Sequence, residues 1–294
     1  MSLMELKAFN AVALGGGFVR GAELLRRSQP TVTAQVRALE SQFGMELFFR
    51  SRGQSAQLTP TGKQLFETTR ALFTLEEDAE AILSGAKGAQ QGLLRIGAIA
   101  PRSAMTMVSS YCENHPGMRI EMRISNSGQV LEWLRSYEVD IGILGAHERD
   151  PAFFMRRFAE PEIVMLAGKT HKFEPGSKLT RERFARETLI LREQGSETRA
   201  LMESALSKHG WRAARVFEIA SREGVVAAAE AGLGLAPISI AEYEGNAGIH
   251  VLRFDGFSVF GEMFIVCMNN RRHIPMIRDA FALDAVSRSS REFL

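Results

Sequence analysis

Hydrophobic positions in the first 62 residues recur at helical spacing and are broken at short intervals. Leu3, Leu6, Phe9, Ala13 and Leu14 share one helix face, which the glycines at 15–17 end. Phe18–Leu25 reads as a second short helix, Arg26-Arg27-Ser28 as a turn and Gln29–Phe43 as a third helix. Ser28 is placed to N-cap that helix, Pro30 stands in its first turn and Gly44 closes it. Extended pieces at Leu47–Arg52 and Gln57–Leu58 flank Gly53-Gln54-Ser55, the pattern of a hairpin wing. From Thr59 to about Gly85 runs one long helix. Leu65, Leu72 and Ala79 repeat along it every seven residues, as do Thr68, Leu75 and Ile82, and such a seam buries most simply against its own copy. Packing against its own chain is the alternative. Residues 85–92 then read as a hinge.

After Gly92 the pattern changes to strands alternating with helices, the signature of an α/β domain. Strands are expected at Leu93–Ala98, Arg119–Ser125, Val139–Leu144, Ile163–Ala167, Thr188–Leu191, Val216–Ala220, Leu235–Ile240, Val251–Phe254 and Met263–Met268. Helices fall near Ser103–Asn114, Gln129–Tyr137, Ser196–His209, Glu223–Ala231 and Pro275–Val286. This length suits two small lobes of parallel sheet.

Composition narrows the class. With 45% hydrophobic and 24% charged residues in 294, the chain can bury about two cores. Cys112 and Cys267 are far apart and form no CxxC pair, which argues against a disulfide framework. The longest uncharged run, Ala8–Val19, is well short of a membrane span. Glu5 precedes it, and Asn10 and three glycines interrupt it, unlike a signal peptide. A cytoplasmic protein that does not enter the membrane is expected. The net charge of +2 is unevenly spread: residues 1–62 hold seven Lys/Arg against four Asp/Glu. That suits a nucleic-acid-binding head, though an ordinary solvated surface gives the same excess.

The segment Phe18–Glu40 is the strongest local signal. Val32, Val36 and Leu39 mark the buried side of the third helix, and at about 100° per residue Pro30, Thr33, Ala34 and Arg37 face away. A helix with a small, polar free face near its N-terminus can enter the major groove of DNA. Gln29, Thr31 and Thr33 suit base edges or phosphates, Arg37 a phosphate or guanine, and Ala34 a thymine methyl. Ser28 and Pro30 open the same helix, and Arg50 and Arg52 on the wing would grip the flanking backbone. A purely structural helix pair is the competing reading.

Residues 4–66 resemble the winged helix-turn-helix of LysR-type transcriptional regulators. The resemblance rests on Leu6, Phe9, Val12, Phe18, Ala22–Leu25, Ser28-Gln29-Pro30, Gln35-Val36-Arg37, Leu39-Glu40, Gly44, Leu47-Phe48, Arg50, Leu58-Thr59 and Gly62. It implies a linker helix that dimerises, often within tetramers, and a two-lobed effector domain like periplasmic binding proteins. The expected divisions are 1–62 for the DNA-binding domain, 63–92 for the linker helix and hinge, and 93–294 for the effector domain. Within the last, lobe I takes about 93–168 and 268–294, and lobe II about 169–267. Gly17 departs from the family's usual Ser. Gly21 stands in place of the usual Ala, which weakens its helix by about 1 kcal/mol. Ala34 stands where many members carry Arg, and the stretch from Arg50 to Leu58 is about one residue longer than usual.

In the second half, polar residues gather at strand ends and helix starts: Arg102-Ser103, Ser125-Asn126-Ser127, Ser196 with Thr198, and Ser221-Arg222. In parallel α/β sheets those ends face a ligand crevice. Helix N-termini and the two arginines favour an anion there. Each Ser or Thr also reads as a plain N-cap. Gly97–Pro101, Ile124–Ser127, Arg192–Ser196, Ser221–Glu223 and Ala231–Leu235 resemble the LysR-type branch associated with 2-aminoethylphosphonate catabolism. That resemblance implies a phosphonate effector, with Glu197 or Glu223 facing its ammonium.

Catalysis and metal binding find no support. The six histidines are too widely spaced for a zinc motif, and no complete phosphate loop occurs. No cofactor is expected. The sequence therefore points to a ligand-responsive regulator that binds double-stranded operator DNA as a homo-oligomer. An α/β small-molecule-binding protein or enzyme with a helical appendage is the alternative.

Overall fold

The computed structural model describes residues 1–49, 56–84, 92–145, 150–173, 176–245 and 248–283. It divides into two compact units, 1–84 and 85–294.

The first unit holds α1 (Leu3–Gly15), α2 (Phe18–Leu24), α3 (Gln29–Phe43) and α4 (Pro60–Ser84). Ser2 and Glu5 form a reciprocal capping box that starts α1. Gly44 ends α3 in the left-handed region at φ 64°, where a side chain would strain the backbone. Leu6, Phe9, Val12, Val32, Val36, Leu39, Phe48 and Phe73 fill the core. A single bridge pairs Phe48 with Leu58, the base of the expected wing. Its tip, Gly53-Gln54-Ser55, lies outside the described residues, as does most of the expected hinge. At Gly21 a Cβ would stand 2.8 Å from the Val12 Cα. The glycine expected only to weaken α2 is therefore what lets that helix approach the α1 backbone.

The second unit contains two sheets. Strands β1 (Gly92–Ala98), β2 (Met118–Ile124), β3 (Ile141–Gly145), β4 (Phe153–Ala159) and β12 (Met263–Met268) form the first, in the order β2-β1-β3-β12-β4. Helices α5 (Pro101–Asn114) and α10 (Pro275–Ala282) cover one face, and α6 (Ser127–Arg135) the other. The second sheet runs β6-β10-β5-β9-β7-β8. Its strands are β5 (Glu162–Gly168), β6 (Lys178–Leu179), β7 (Thr188–Leu191), β8 (Arg215–Glu218), β9 (Leu235–Ser239) and β10 (Ile249–Phe254), with β11 (Val259–Phe260) paired to β5. Helix α7 (Arg181–Phe184) precedes β7, and helices α8 (Glu197–His209) and α9 (Arg222–Glu230) cover opposite faces.

Two expectations are corrected. The sheets are mixed rather than parallel, because β12 runs antiparallel to β3 and β4, and β5 antiparallel to β9 and β10. The chain also changes sheet earlier than expected, between β4 and β5 and again between β11 and β12. Strand β5 thus belongs to lobe II, and β12 to lobe I. Continuous apolar runs such as Ile163–Ala167 and Phe264–Cys267 mark a strand buried on both faces and carry no label for which sheet takes it.

A buried ion pair braces lobe I: Arg271 Nη1 donates to Asp140 Oδ1 at 2.9 Å, with both side chains at most 2% exposed. The other carboxylate oxygen accepts the Arg95 amide at 2.7 Å.

Candidate DNA-reading and effector sites

In α3 the burial of Val32, Val36 and Leu39 turns Gln29, Pro30, Thr31, Ala34 and Arg37 outward, with Thr33 half-buried beside them. Ser28 also lies exposed, its Oγ accepting the Thr31 amide at 3.4 Å and standing 2.7 Å from the Thr31 hydroxyl. Those two hydroxyls are thus partly engaged with each other. Gln29, Thr33 and Arg37 line an open groove that continues to Met45 and Phe49. Arg50 and Arg52 lie outside the described residues.

Residues that were not assigned roles in the sequence fix this surface. Glu40 Oε1 accepts the amides of Leu47 at 2.8 Å and Phe48 at 3.4 Å, so the wing is tied to the back of α3. Thr59 donates to the Glu46 carbonyl at 2.8 Å and accepts the Gly62 amide at 3.0 Å, which starts α4 against the wing. A Cβ at Gly62 would collide with the Leu47 carbonyl. The hairpin pattern alone does not show either tie, since both depend on where the wing folds back.

Helix α4 packs on its own chain through Phe73 and Thr69, and at its start through Leu65 of the seven-residue seam. Phe73 and Thr69 are buried, Thr69 donates to Asn10 at 3.1 Å, and Lys7 pairs with Glu76 at 2.8 Å. The seam residues Leu72, Leu75 and Ile82 remain 42%, 42% and 49% exposed.

In the second unit Arg102, Ser103 and Arg222 come together where the lobes meet, and several of the other expected effector residues are engaged within their own elements. Asn126 and Ser221 cap their own helices, accepting the Gln129 amide at 3.0 Å and the Gly224 amide at 2.9 Å. Ser125 donates its amide to the Ala98 carbonyl at 3.0 Å. Ser127 is buried, and its hydroxyl has no hydrogen-bond partner. Ser196 is buried at the start of α8 without a side-chain cap bond. Glu197, next to it, lies against Gly145 of β3 in the other lobe, so closely that a Cβ there would overlap it.

Arg102, Ser103 and Arg222 converge on carboxylates of the chain itself. Glu242 accepts both the amide and the hydroxyl of Ser103, at 2.9 and 2.8 Å, and Glu244 pairs with the Arg102 guanidinium. Arg222 donates to the Ile99 carbonyl at 2.8 Å and stands 3.7 Å from Glu242. Burial pulls the Arg222 pKa below its ordinary value, with Glu242 opposing that shift. Arg222 also lines, with Arg192 and Thr198, a cavity of only about 10 Å³. Burial raises the neighbouring Glu193 carboxyl, but hydrogen bonds from Arg192 and the backbone outweigh it, leaving the pKa low. Glu242 carries no signal in the sequence that marks it for this place.

Among the described residues no cluster of His, Cys, Asp or Glu could hold a metal, and no helix is long and apolar enough to cross a membrane. A helix-turn-helix with an outward-facing third helix, joined in one chain to a two-lobed α/β domain, is the architecture of a ligand-responsive transcription regulator. Residues 3–63 match the bacterial regulatory helix-turn-helix protein, lysR family, and residues 87–283 match the LysR substrate binding domain. The chain belongs to the LysR family; its relatives are regulators rather than enzymes.

A RuBisCO operon transcriptional regulator from Allochromatium vinosum is 29% identical over 280 residues, 94% of this chain and 92% of that protein. The transcriptional regulator CbbR of Sinorhizobium medicae is 33% identical over 246 residues, 81% and 77% of the two chains. A full-length OxyR variant from Pseudomonas aeruginosa shares the fold at a TM-score of 0.77 and 21% identity, covering 97% of this chain and 94% of that one. Full-length CbnR, solved with its target DNA, has a TM-score of 0.68 at 19% identity and covers 98% and 99%.

Proposed function

We propose that this regulator binds its operator as a homodimer, or a pair of dimers, and responds to a small anion held between the lobes of residues 93–294. The observation that carries the DNA half is the outward face of α3, where Gln29, Thr31, Ala34 and Arg37 stand exposed on a helix anchored by Val32, Val36 and Leu39. Thr33 borders that face, Ser28 and Pro30 present its first turn, and Arg50 and Arg52 are assigned to phosphates beside it. The exposed Leu72, Leu75 and Ile82 supply the dimer seam within 63–92, and one recognition helix alone reads too few bases. The operator, and hence the protein, is in the cytoplasm.

The effector half rests on the donors at the lobe boundary: the start of α5 with Arg102 and Ser103, Ser125–Ser127, Ser196, Thr198, Ser221 and Arg222. 2-Aminoethylphosphonate is the finer assignment, supported by the short motifs at 97–101, 124–127, 192–196, 221–223 and 231–235. Similarity to the Allochromatium vinosum regulator favours a second reading of the target, a RuBisCO operon.

Fluorescence anisotropy of the full chain on DNA recovered by footprinting tests the proposal. Arg37→Ala should weaken specific binding by roughly 1–3 kcal/mol, about fivefold to 150-fold, for one base-edge contact. Unchanged affinity and unchanged base preference would remove Arg37 from the interface. Titration of the same complex with phosphonates, phosphate and neutral analogues tests the effector class, and a response only to neutral ligands would overturn it.

A further inference from the structure

We propose, resting on the crevice reading above, that Glu242 is the gate of the effector crevice. Its carboxylate holds the lobes shut, and an anionic effector enters by taking its place.

Helix α5 begins without a cap of its own. Ala100 at the N-cap position has no side-chain acceptor, and Pro101 has no N–H, so the first free donors are the amides of Arg102 and Ser103. One distant carboxylate takes both. Glu242 lies at the end of the short 3-10 turn Ile240–Glu242 that follows β9 in lobe II. Its Oε1 accepts the Ser103 amide at 2.9 Å and hydroxyl at 2.8 Å, while Oε2 accepts the Arg102 amide at 3.3 Å. Oε2 also faces Arg222 Nη1 at 3.7 Å, and the Glu242 side chain is only 3% exposed.

Two amides, a hydroxyl and a guanidinium are the donor set that selects an anion. Here they are filled from within the chain. All of these bonds except the Glu242–Arg222 contact join lobe II to lobe I, and Arg222 adds a second tie through the Ile99 carbonyl at 2.8 Å. The adjoining cavity of about 10 Å³ is lined by lobe II residues alone and admits roughly one water. An anion that takes the Arg102 and Ser103 donors must therefore displace Glu242, and displacing it frees lobe II from the start of α5. Two anions cannot share these donors, because like charges a few ångströms apart repel strongly where water is excluded. Closure by Glu242 and occupancy by an anion are thus mutually exclusive. A neutral ligand cannot replace the charge that the donors lose.

The test is calorimetric titration of the full chain with inorganic phosphate, comparing wild type, Glu242→Gln and Glu242→Asp. The Gln variant keeps the size and one accepting oxygen but removes the charge. The Asp variant keeps the charge and ends one methylene short. Phosphate should bind the Gln variant at least tenfold more tightly than wild type, with Asp in between. Hydrogen exchange at the Arg102 and Ser103 amides should be at least tenfold faster in the Gln variant without phosphate, and slow again when phosphate is added. If the Gln variant fails to fold, the Asp variant carries the same comparison with wild type. Equal phosphate affinity in the folded proteins overturns the gate and leaves the crevice reading standing. Weaker binding by the Gln variant also overturns it, making Glu242 part of the site rather than its competitor. No phosphate binding by any of them overturns the gate and the anion reading together.

Discussion

Glu40 on α3 accepts the Leu47 amide at 2.8 Å, so the side chain that ends the buried face of α3 also anchors the wing. The same oxygen reaches the Phe48 amide at 3.4 Å, and Phe48 in turn packs between Phe9 and Phe18, with ring centroids 5.4 and 5.5 Å away. The position of the wing relative to α3 is therefore set by one carboxylate and one aromatic cluster.

Glu40→Ala should leave the Leu47 amide without its acceptor, at a cost of about 1–3 kcal/mol. Urea unfolding of the full chain measures the loss, and operator affinity should fall with it. Glu40→Gln retains an accepting oxygen and should lose less than Ala. Equal losses for the two variants would show that the oxygen is not what matters.

Leu72→Lys combined with Leu75→Lys should give monomers in sedimentation velocity. The two leucines are exposed on α4, whereas Phe73 and Thr69 are buried and Thr69 bonds Asn10 of α1, so the folded unit should survive. Operator binding should weaken by more than tenfold, because two half-sites no longer act together. An unchanged sedimentation coefficient would place the dimer contact elsewhere.

Arg271→Met should destabilise the effector unit by roughly 3–5 kcal/mol, since it strands the buried Asp140 carboxylate. Adding Asp140→Asn should recover part of that loss, and a double-mutant cycle by chemical denaturation measures the recovery. Additive losses would mean that the pair contributes no coupling.

Burial pushes the Cys267 thiol up to about 12, against the opposing charges of Arg271 and Arg272. In the unfolded chain a cysteine ionises near 8.5. The folded state therefore binds the proton more tightly, and this contribution to stability is complete below about pH 8.5 and lost as the pH rises towards 12. At pH 8 iodoacetamide should leave Cys267 unmodified in the native protein and alkylate it in urea. Rapid native alkylation would contradict the buried environment.

Local chemistry made the DNA-binding half legible in the sequence. Ser28, Pro30 and Gly44 act within a few residues of themselves, and Val32, Val36 and Leu39 need only a period of 3.6 to declare a buried face. The alternation of strands and helices beyond Gly92 is likewise written in short-range pattern, as is the exposed seam of α4. The tertiary structure decided what depends on distant partners. It assigned β5 and β12 to their lobes, because an apolar strand buried on both faces fits either sheet. Gly21 became a close-approach position because Val12 lies against it. It also set Glu242 on the start of α5, 139 residues from Ser103, where a carboxylate ordinary in its own segment satisfies amides that Ala100 and Pro101 leave uncapped. Periodicity and caps report on neighbours along the chain. Which charge meets which donor across two lobes is settled only when the chain folds and excludes the water that would otherwise solvate both.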